Sequence, residues 1–382
     1  MPKLMKPEWA RFIMIPALCM LFCVALRGQD GSTAQGPDSG ATQGQTQGQD
    51  LATTQGPDEH IKAIPILTGA TAYYTKVTAG QVQDQPWFIP VLLVPIGDKW
   101  LVEARADDYP TFERGANGRF QEVSNEYGLQ YATVDYIANK YVTVVAGRFL
   151  TPFGMYNERL QPYWIRALQG IPLTYGVTSN TGLGGMLRGG FPAGTQSVNL
   201  NYAFYFSADN TNHILGTTRA TGGRVGFFLP KYRLEIGGSF QQLLEGDHSH
   251  NVGLHTEWQP NAQPFTLRSE FAHSSGIRGS AYWVESVYRL SQVPHLHQLE
   301  LVGRGQQVFA DPKLSAAQRS QVGKLGLDTN QGDFGLNYYL GRDVRGSASY
   351  GRQFAFNKDA NLWILGITYR FIMPLGPTGG VH

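Results

Sequence analysis

Apolar and polar residues alternate one by one along most of this chain. From Val198 to Phe206, Val198, Leu200, Tyr202, Phe204 and Phe206 share one face, and Asn199, Asn201, Ala203 and Tyr205 share the other. Trp363, Leu365, Ile367, Tyr369 and Phe371 alternate with Gly366, Thr368 and Arg370, and Phe334, Leu336, Tyr338 and Leu340 with Asp333, Gly335, Asn337 and Tyr339. Period two puts successive side chains on opposite faces of a strand. Such runs are long for a globular strand, which has about 5–6 residues, and suit a tilted membrane strand, which needs about 9–11.

Sixteen segments of this kind are predicted, over residues 66–76, 87–96, 99–108, 126–137, 141–149, 181–191, 195–207, 221–230, 233–243, 250–259, 265–274, 280–290, 297–308, 331–341, 345–354 and 361–371. Every second connection is short. The others include long ones at 109–125, 150–180, 208–220 and 309–330. Short turns at one end, longer loops at the other and an even strand count describe an all-β fold: a transmembrane antiparallel up-and-down β-barrel of about 16 strands. Aromatics near strand ends, such as Trp100, Phe191, Trp258, Tyr282 and Phe371, fit interfacial girdles. A secreted soluble sandwich shows the same alternation, and strand length, strand number and the N-terminal segment favour the barrel over it. A barrel of about sixteen strands leaves an aqueous channel rather than a filled core.

The ends of the chain differ from this pattern. Phe12 to Leu26 is apolar, preceded by Lys3, Lys6 and Arg11 and followed by small polar residues, so residues 1–34 are read as a signal peptide. Both cysteines, Cys19 and Cys23, fall inside it, which leaves the mature chain no thiol chemistry. Residues 1–34 also carry the whole formal net charge of +2. The remainder is near neutral, and no basic face suggests nucleic acid. Residues 35–60 are rich in Gln and Gly and form a linker expected to lack structure. The barrel is then 61–371, and 372–382 is a tail.

If the apolar alternate meets lipid, the opposite face lines the lumen. It carries Arg105, Arg188, Arg224, Arg268, Arg289 and Arg304 as pore-wall bases, with Arg148 and Arg370, against Glu103, Asp107, Glu235, Glu257, Glu270, Glu285, Glu300 and Asp333. Neither sign dominates, and close pairs such as Arg268 with Glu270 would cancel locally. The segment 150–180 is different. Pro152, Pro162 and Pro172 stiffen it, and Met155, Tyr156, Leu160, Tyr163, Trp164, Ile165 and Leu168 give it surface to pack against a wall. It is read as a loop folded into the lumen, with Arg148 at its base and Tyr156, Glu158, Arg159 and Arg166 at the constriction. There a few charges act where field lines are concentrated.

The run Gly147-Arg148-Phe149-Leu150-Thr151-Pro152-Phe153-Gly154 resembles the "G-basic-F/M-x-T-P-F-G" segment of the phosphate-selective porin O and P family. The resemblance covers the barrel and implies sixteen strands, a homotrimer and an inward loop after the motif, with Arg148 at the motif's basic position. It does not carry phosphate specificity, because that rests on a lysine ladder. Here Lys231 is the only lysine between Lys140 and Lys313.

Three histidine groupings add little. His248 with His250 and His295 with His297 have ligand-like spacing, but two histidines do not complete a metal site. His273-Ser274-Ser275 lacks a placed acid for nucleophilic catalysis. The expected protein is therefore an outer-membrane porin, not an enzyme. Its partners are membrane lipid and small polar or anionic solutes, with a mild anion preference. No catalytic residue, metal or other cofactor is assigned. A plugged structural or adhesive barrel and a barrel hydrolase stay open as alternatives.

Overall fold

The computed structural model describes residues 64–177, 181–194, 198–210, 219–246, 248–261, 263–276, 279–311, 327–355 and 358–375. The signal peptide, the Gln/Gly-rich linker and the tail beyond residue 375 lie outside them. Sixteen antiparallel strands close into a barrel. They are β1 (Ile66–Thr78), β2 (Gln81–Ile96), β3 (Trp100–Arg114), β4 (Phe120–Asn139), β5 (Val142–Leu150), β6 (Thr181–Ala193), β7 (Val198–Asn210), β8 (Ala220–Leu229), β9 (Leu234–Leu243), β10 (His250–Trp258), β11 (Phe265–Ser274), β12 (Gly279–Arg289), β13 (Leu299–Phe309), β14 (Thr329–Tyr339), β15 (Val344–Ala355) and β16 (Lys358–Pro374). Each pairs with its neighbours in sequence, and β16 closes on β1. Every predicted strand is present. Closure lets the wall satisfy its own backbone hydrogen bonds without water.

The two faces are inverted relative to a soluble protein. Phe204, Phe206, Phe227, Ile236, Phe240, Leu254, Trp363, Leu365 and Ile367 are exposed, while Ser239, Gln241, Asn251, Asn337, Ser347 and Thr368 on the alternate face are buried. Apolar outside and polar inside is stable only where the outside meets hydrocarbon. Alternation in the sequence left open which face was which. Burial in the closed barrel decides it.

Three boundaries differ from expectation. The loop expected over 109–125 is mostly strand, because β3 runs to Arg114 and β4 starts at Phe120. Two irregularities in the β3–β4 register, one near Arg105 and one near Thr111, break strict alternation there and hide the strand from a period-two reading. β2 begins at Gln81, so the β1–β2 turn is only Ala79 and Gly80, both with positive φ, as a tight hairpin turn requires. β16 continues past Phe371, with Thr68 opposite Ile372 and Ile66 opposite Pro374, because β1 offers those partners.

Candidate functional site

β5 ends at Leu150, and the chain leaves the wall at Thr151, where Pro152 has no N–H to give a ladder. Among the described residues it is next in the wall at Thr181. Between, it forms a wide helical turn, Tyr156–Leu160, and a short tight turn, Leu173–Gly176. Its apolar side chains reach the barrel wall on opposite sides. Phe153 and Val177 pack on Ala272, Ala281 and Val308. Met155, Tyr156 and Leu160 pack on Trp283, and Leu168 on Val287 and Val302. Tyr163 lies across the lumen among Tyr74, Ile89 and Ile364, with its ring 4.0 Å from that of Trp87. The segment therefore folds into the lumen, as the sequence led us to expect, and spans it from wall to wall.

A chain crossing the lumen with little regular structure must find partners for its N–H and C=O groups. Two sets of wall side chains supply them. In the first, Glu270 Oε2 accepts the Met155 and Tyr156 amides at 2.8 and 3.1 Å, and its Oε1 accepts the Thr174 hydroxyl at 3.0 Å. Ser239 accepts the Gly154 amide at 2.9 Å, and Arg224 donates to the Gly154 carbonyl at 3.0 Å. In the second, Arg345 donates to the carbonyls of Arg166 and Tyr163 at 2.9 and 2.6 Å, Asn337 to Ala167 at 2.8 Å and Arg304 to Gly170 at 2.8 Å. Gln306 accepts the Leu173 amide at 2.9 Å. Glu270 was read only as a wall charge and Arg345 was not singled out at all. Their position on the polar alternate was the only signal for either.

The expected constriction residues separate into three groups. Arg148 is a correction. It shares its face with the exposed Val144 and Ala146, opposite the buried Val145 and Phe149, and stands across from the exposed Leu183. β5 keeps strict alternation up to Leu150, so a side chain one residue from Phe149 points away from the lumen. Tyr156 and Arg166 are inside but buried. The Arg166 guanidinium caps the carbonyls of Gln161 and Gln169 and lies 3.7 Å from the centre of the Tyr163 ring, so it staples the segment to itself. Glu158 and Arg159 face the wall and pair with Arg224 at 2.8 Å and Glu235 at 2.7 Å. Burial pushes the Tyr163 phenol well above its usual range and that of Tyr175 up to about 12.

All the expected wall arginines face inward, and each has a partner. Arg105 pairs with Asp107 at 2.8 Å and donates to Gln161 at 3.2 Å. Arg188 pairs with Asp135, and Arg289 lies 4.6 Å from the centre of the Tyr339 ring. Arg268 pairs with Glu257 at 3.1 Å and Glu285 at 3.7 Å, not with Glu270. A directly opposite cross-strand neighbour is nearer than the next residue on the same face of one strand. Arg304 continues the series to Glu285 at 3.9 Å and Asp333 at 3.4 Å. Glu235, Glu257, Arg268, Glu285, Arg304 and Asp333 are direct partners in register, so they form one row across β9 to β14.

Water reaches these lumen charges unevenly. The side chains of Glu158, Arg159, Glu257 and Arg268 are 18, 26, 18 and 14 % exposed, whereas those of Arg105, Glu285 and Arg304 are 2, 6 and 2 %. The histidine groupings assemble nothing further. His273 Nδ1 meets Ser280 at 2.9 Å and His250 Nδ1 meets Ser275 at 3.3 Å, and among the described residues neither ring meets a carboxylate. Nor do the described residues hold a metal-binding cluster.

No family model matches this chain, and no curated protein matches it. Solved structures do. OmpF of Salmonella typhi, solved with daunomycin, aligns with a TM-score of 0.53 at 14% identity over 80% of this chain and 97% of its own. A loop-deletion mutant of OmpT, an outer membrane protein of Vibrio cholerae, aligns with a TM-score of 0.52 at 11% identity over 81% and 100%. An anion-selective porin from Comamonas acidovorans aligns with a TM-score of 0.50 at 12% identity over 81% and 98%. Identities this low carry the architecture alone: the chain has the closed sixteen-stranded fold of bacterial outer-membrane porins.

Proposed function

We propose that this protein is an outer-membrane porin passing small polar solutes and ions through a narrow, off-centre slot between segment 151–177 and strands β8 to β11. The observation that carries the reading is the inward segment itself, anchored on the wall at several strands and leaving Glu158, Arg159, Glu257 and Arg268 partly hydrated beside it. The slot is lined by Glu158, Arg159, Arg224, Glu235, Glu257 and Arg268, acids and bases in equal number. Ion discrimination is therefore weak. A mild anion preference would rest on Arg159, because Arg148 faces outward and Arg166 is spent on carbonyls. The motif at Gly147–Gly154 supports kinship with the phosphate-selective porins without supporting phosphate selectivity, and a homotrimer is the assembly that kinship suggests.

The depth of burial across the rest of the segment favours a second reading, a barrel closed at rest. Single-channel recording of the purified chain in a planar bilayer separates the two. Steady openings far smaller than those of wide sixteen-stranded porins, with little preference between cation and anion, are expected of the slot. A silent bilayer containing folded, inserted protein refutes it and leaves the plugged barrel.

A further inference from the structure

One buried titratable side chain takes no part in anchoring the segment. His255 stands on the lumen face of β10, its side chain 0 % exposed and its Nε2 3.5 Å from Glu235 Oε1. Neither ring nitrogen has a hydrogen-bond partner. A neutral imidazole always carries one N–H donor, so either tautomer leaves that donor unmet. Room for the ring comes from Gly237, directly opposite on β9, where a Cβ would run into it. On its other flank stands Glu270 of β11, whose oxygens are taken by the segment. Glu235 is held less completely. Its Oε2 accepts Arg159 at 2.7 Å, while its Oε1 meets Asn201 and the imidazole, each at 3.5 Å. The other charges of this corner are paired, Arg224 with Glu158 and Arg268 with Glu257.

We propose that His255 sets the ion preference of the slot through Glu235: once charged, the imidazole takes Glu235 Oε1 as its partner and adds a positive charge to a balanced lining. This rests on the slot proposed for permeation, where acids and bases are equal in number. Protonation makes both ring nitrogens donors, so the 3.5 Å approach becomes a charge-assisted contact. His255 is a positioning residue and does not meet the solute itself. Glu235, shared between two cations, no longer offsets Arg159 in full, and the slot then favours anions. Histidine ordinarily titrates between about pH 5 and 8, above the range of the carboxylates. Among the described residues the other histidines are off the lumen wall. His250 and His273 share the outward alternate with exposed Leu254 and Phe271, and His248, His295 and His297 lie in connections between strands. A unit charge about 7 Å from an ion in water is worth about RT, so after screening the anion-to-cation permeability ratio should change about threefold.

The full-length chain, folded and inserted in a planar bilayer, is held under a salt gradient, and its reversal potential is read at about pH 8 and about pH 5. The lower pH should move it toward anion preference, by about threefold in permeability ratio. The response should vanish in His255→Gln, which keeps a polar side chain but cannot take a proton. A second readout needs no current. In lipid nanodiscs, with histidine isotope-labelled at Cε1, the magnetic resonance signal missing from His255→Gln belongs to His255. That signal should move between the two pH values. In Glu235→Gln it should move less over the same range, because the carboxylate that favours the charged ring is gone. A conducting barrel with the same preference at both pH values, or a pH response that survives in His255→Gln, overturns the proposal. So does a His255 signal that stays still, or one that moves equally in Glu235→Gln. Folded, inserted protein that never conducts refutes the slot itself, and the proposal with it.

Discussion

Replacing Glu270 by alanine should release the start of the lumen segment. Its carboxylate is 4 % exposed and is the acceptor for two backbone amides, Met155 and Tyr156, and for the Thr174 hydroxyl. No water can replace it without entering a packed site. A buried donor left without an acceptor costs about 1–3 kcal/mol. Two amides together therefore disfavour the docked arrangement by about 2–6 kcal/mol. At 1.4 kcal/mol per factor of ten, the lower bound raises the undocked population about 30-fold. Removing a buried charge offsets part of this, which is why Glu270→Gln is the companion variant. It keeps one oxygen acceptor and the side-chain volume and should show a smaller effect. The assay is paired: hydrogen exchange at residues 153–160, and single-channel conductance of the same preparation. Faster exchange with larger or flickering openings is expected in Glu270→Ala, intermediate in Glu270→Gln. If Glu270→Ala folds, inserts and leaves both readings at the wild-type level, the carboxylate does not hold the segment and the anchoring argument fails.

Three further outcomes follow from the same geometry. Gly154 has φ +63°, and a Cβ there would run into the Glu270 carboxylate, so Gly154→Ala should loosen the segment by about 1–3 kcal/mol, visible as faster exchange at 153–156. Arg159→Glu replaces the slot's most exposed arginine and leaves Glu235 facing another acid. The reversal potential under a salt gradient should move toward cation preference, and no movement would remove Arg159 from the permeation path. Tyr163 and Tyr175 are held neutral by burial, with Tyr175 raised to about 12. Their contribution to docking is complete below the ordinary phenol range near pH 10 and is lost as pH rises toward the folded values. Conductance should therefore be steady up to about pH 10 and increase above it, a trend weakened in Tyr163→Phe.

Much of the candidate site was readable from local sequence. Pro152 ended β5 where it was expected to, and the aromatic run from Phe153 to Leu168 announced a segment that packs rather than one that trails in water. What failed was partner assignment. Arg268 was matched with Glu270, two residues along the same strand, whereas register gave it Glu257 and Glu285 from the flanking strands. Arg148 was read on the lumen face with the other arginines and at the base of the loop, whereas in β5 it shares its face with the exposed Val144 and Ala146. The β3–β4 hairpin was read as a loop because its two bulges break the period on which the reading depended.

Alternation alone fixes the number of strands and, between bulges, which residues share a face, because a side chain's face depends only on its place in a two-residue repeat. It says nothing about what each face meets or which residue stands opposite. Those answers come from closure of the sheet, which sets the cross-strand register and turns the polar faces toward one shared interior. In that interior the 151–177 segment brings its backbone to Glu270 and Arg345, residues far from it in sequence and neighbours only because the wall curves back on itself.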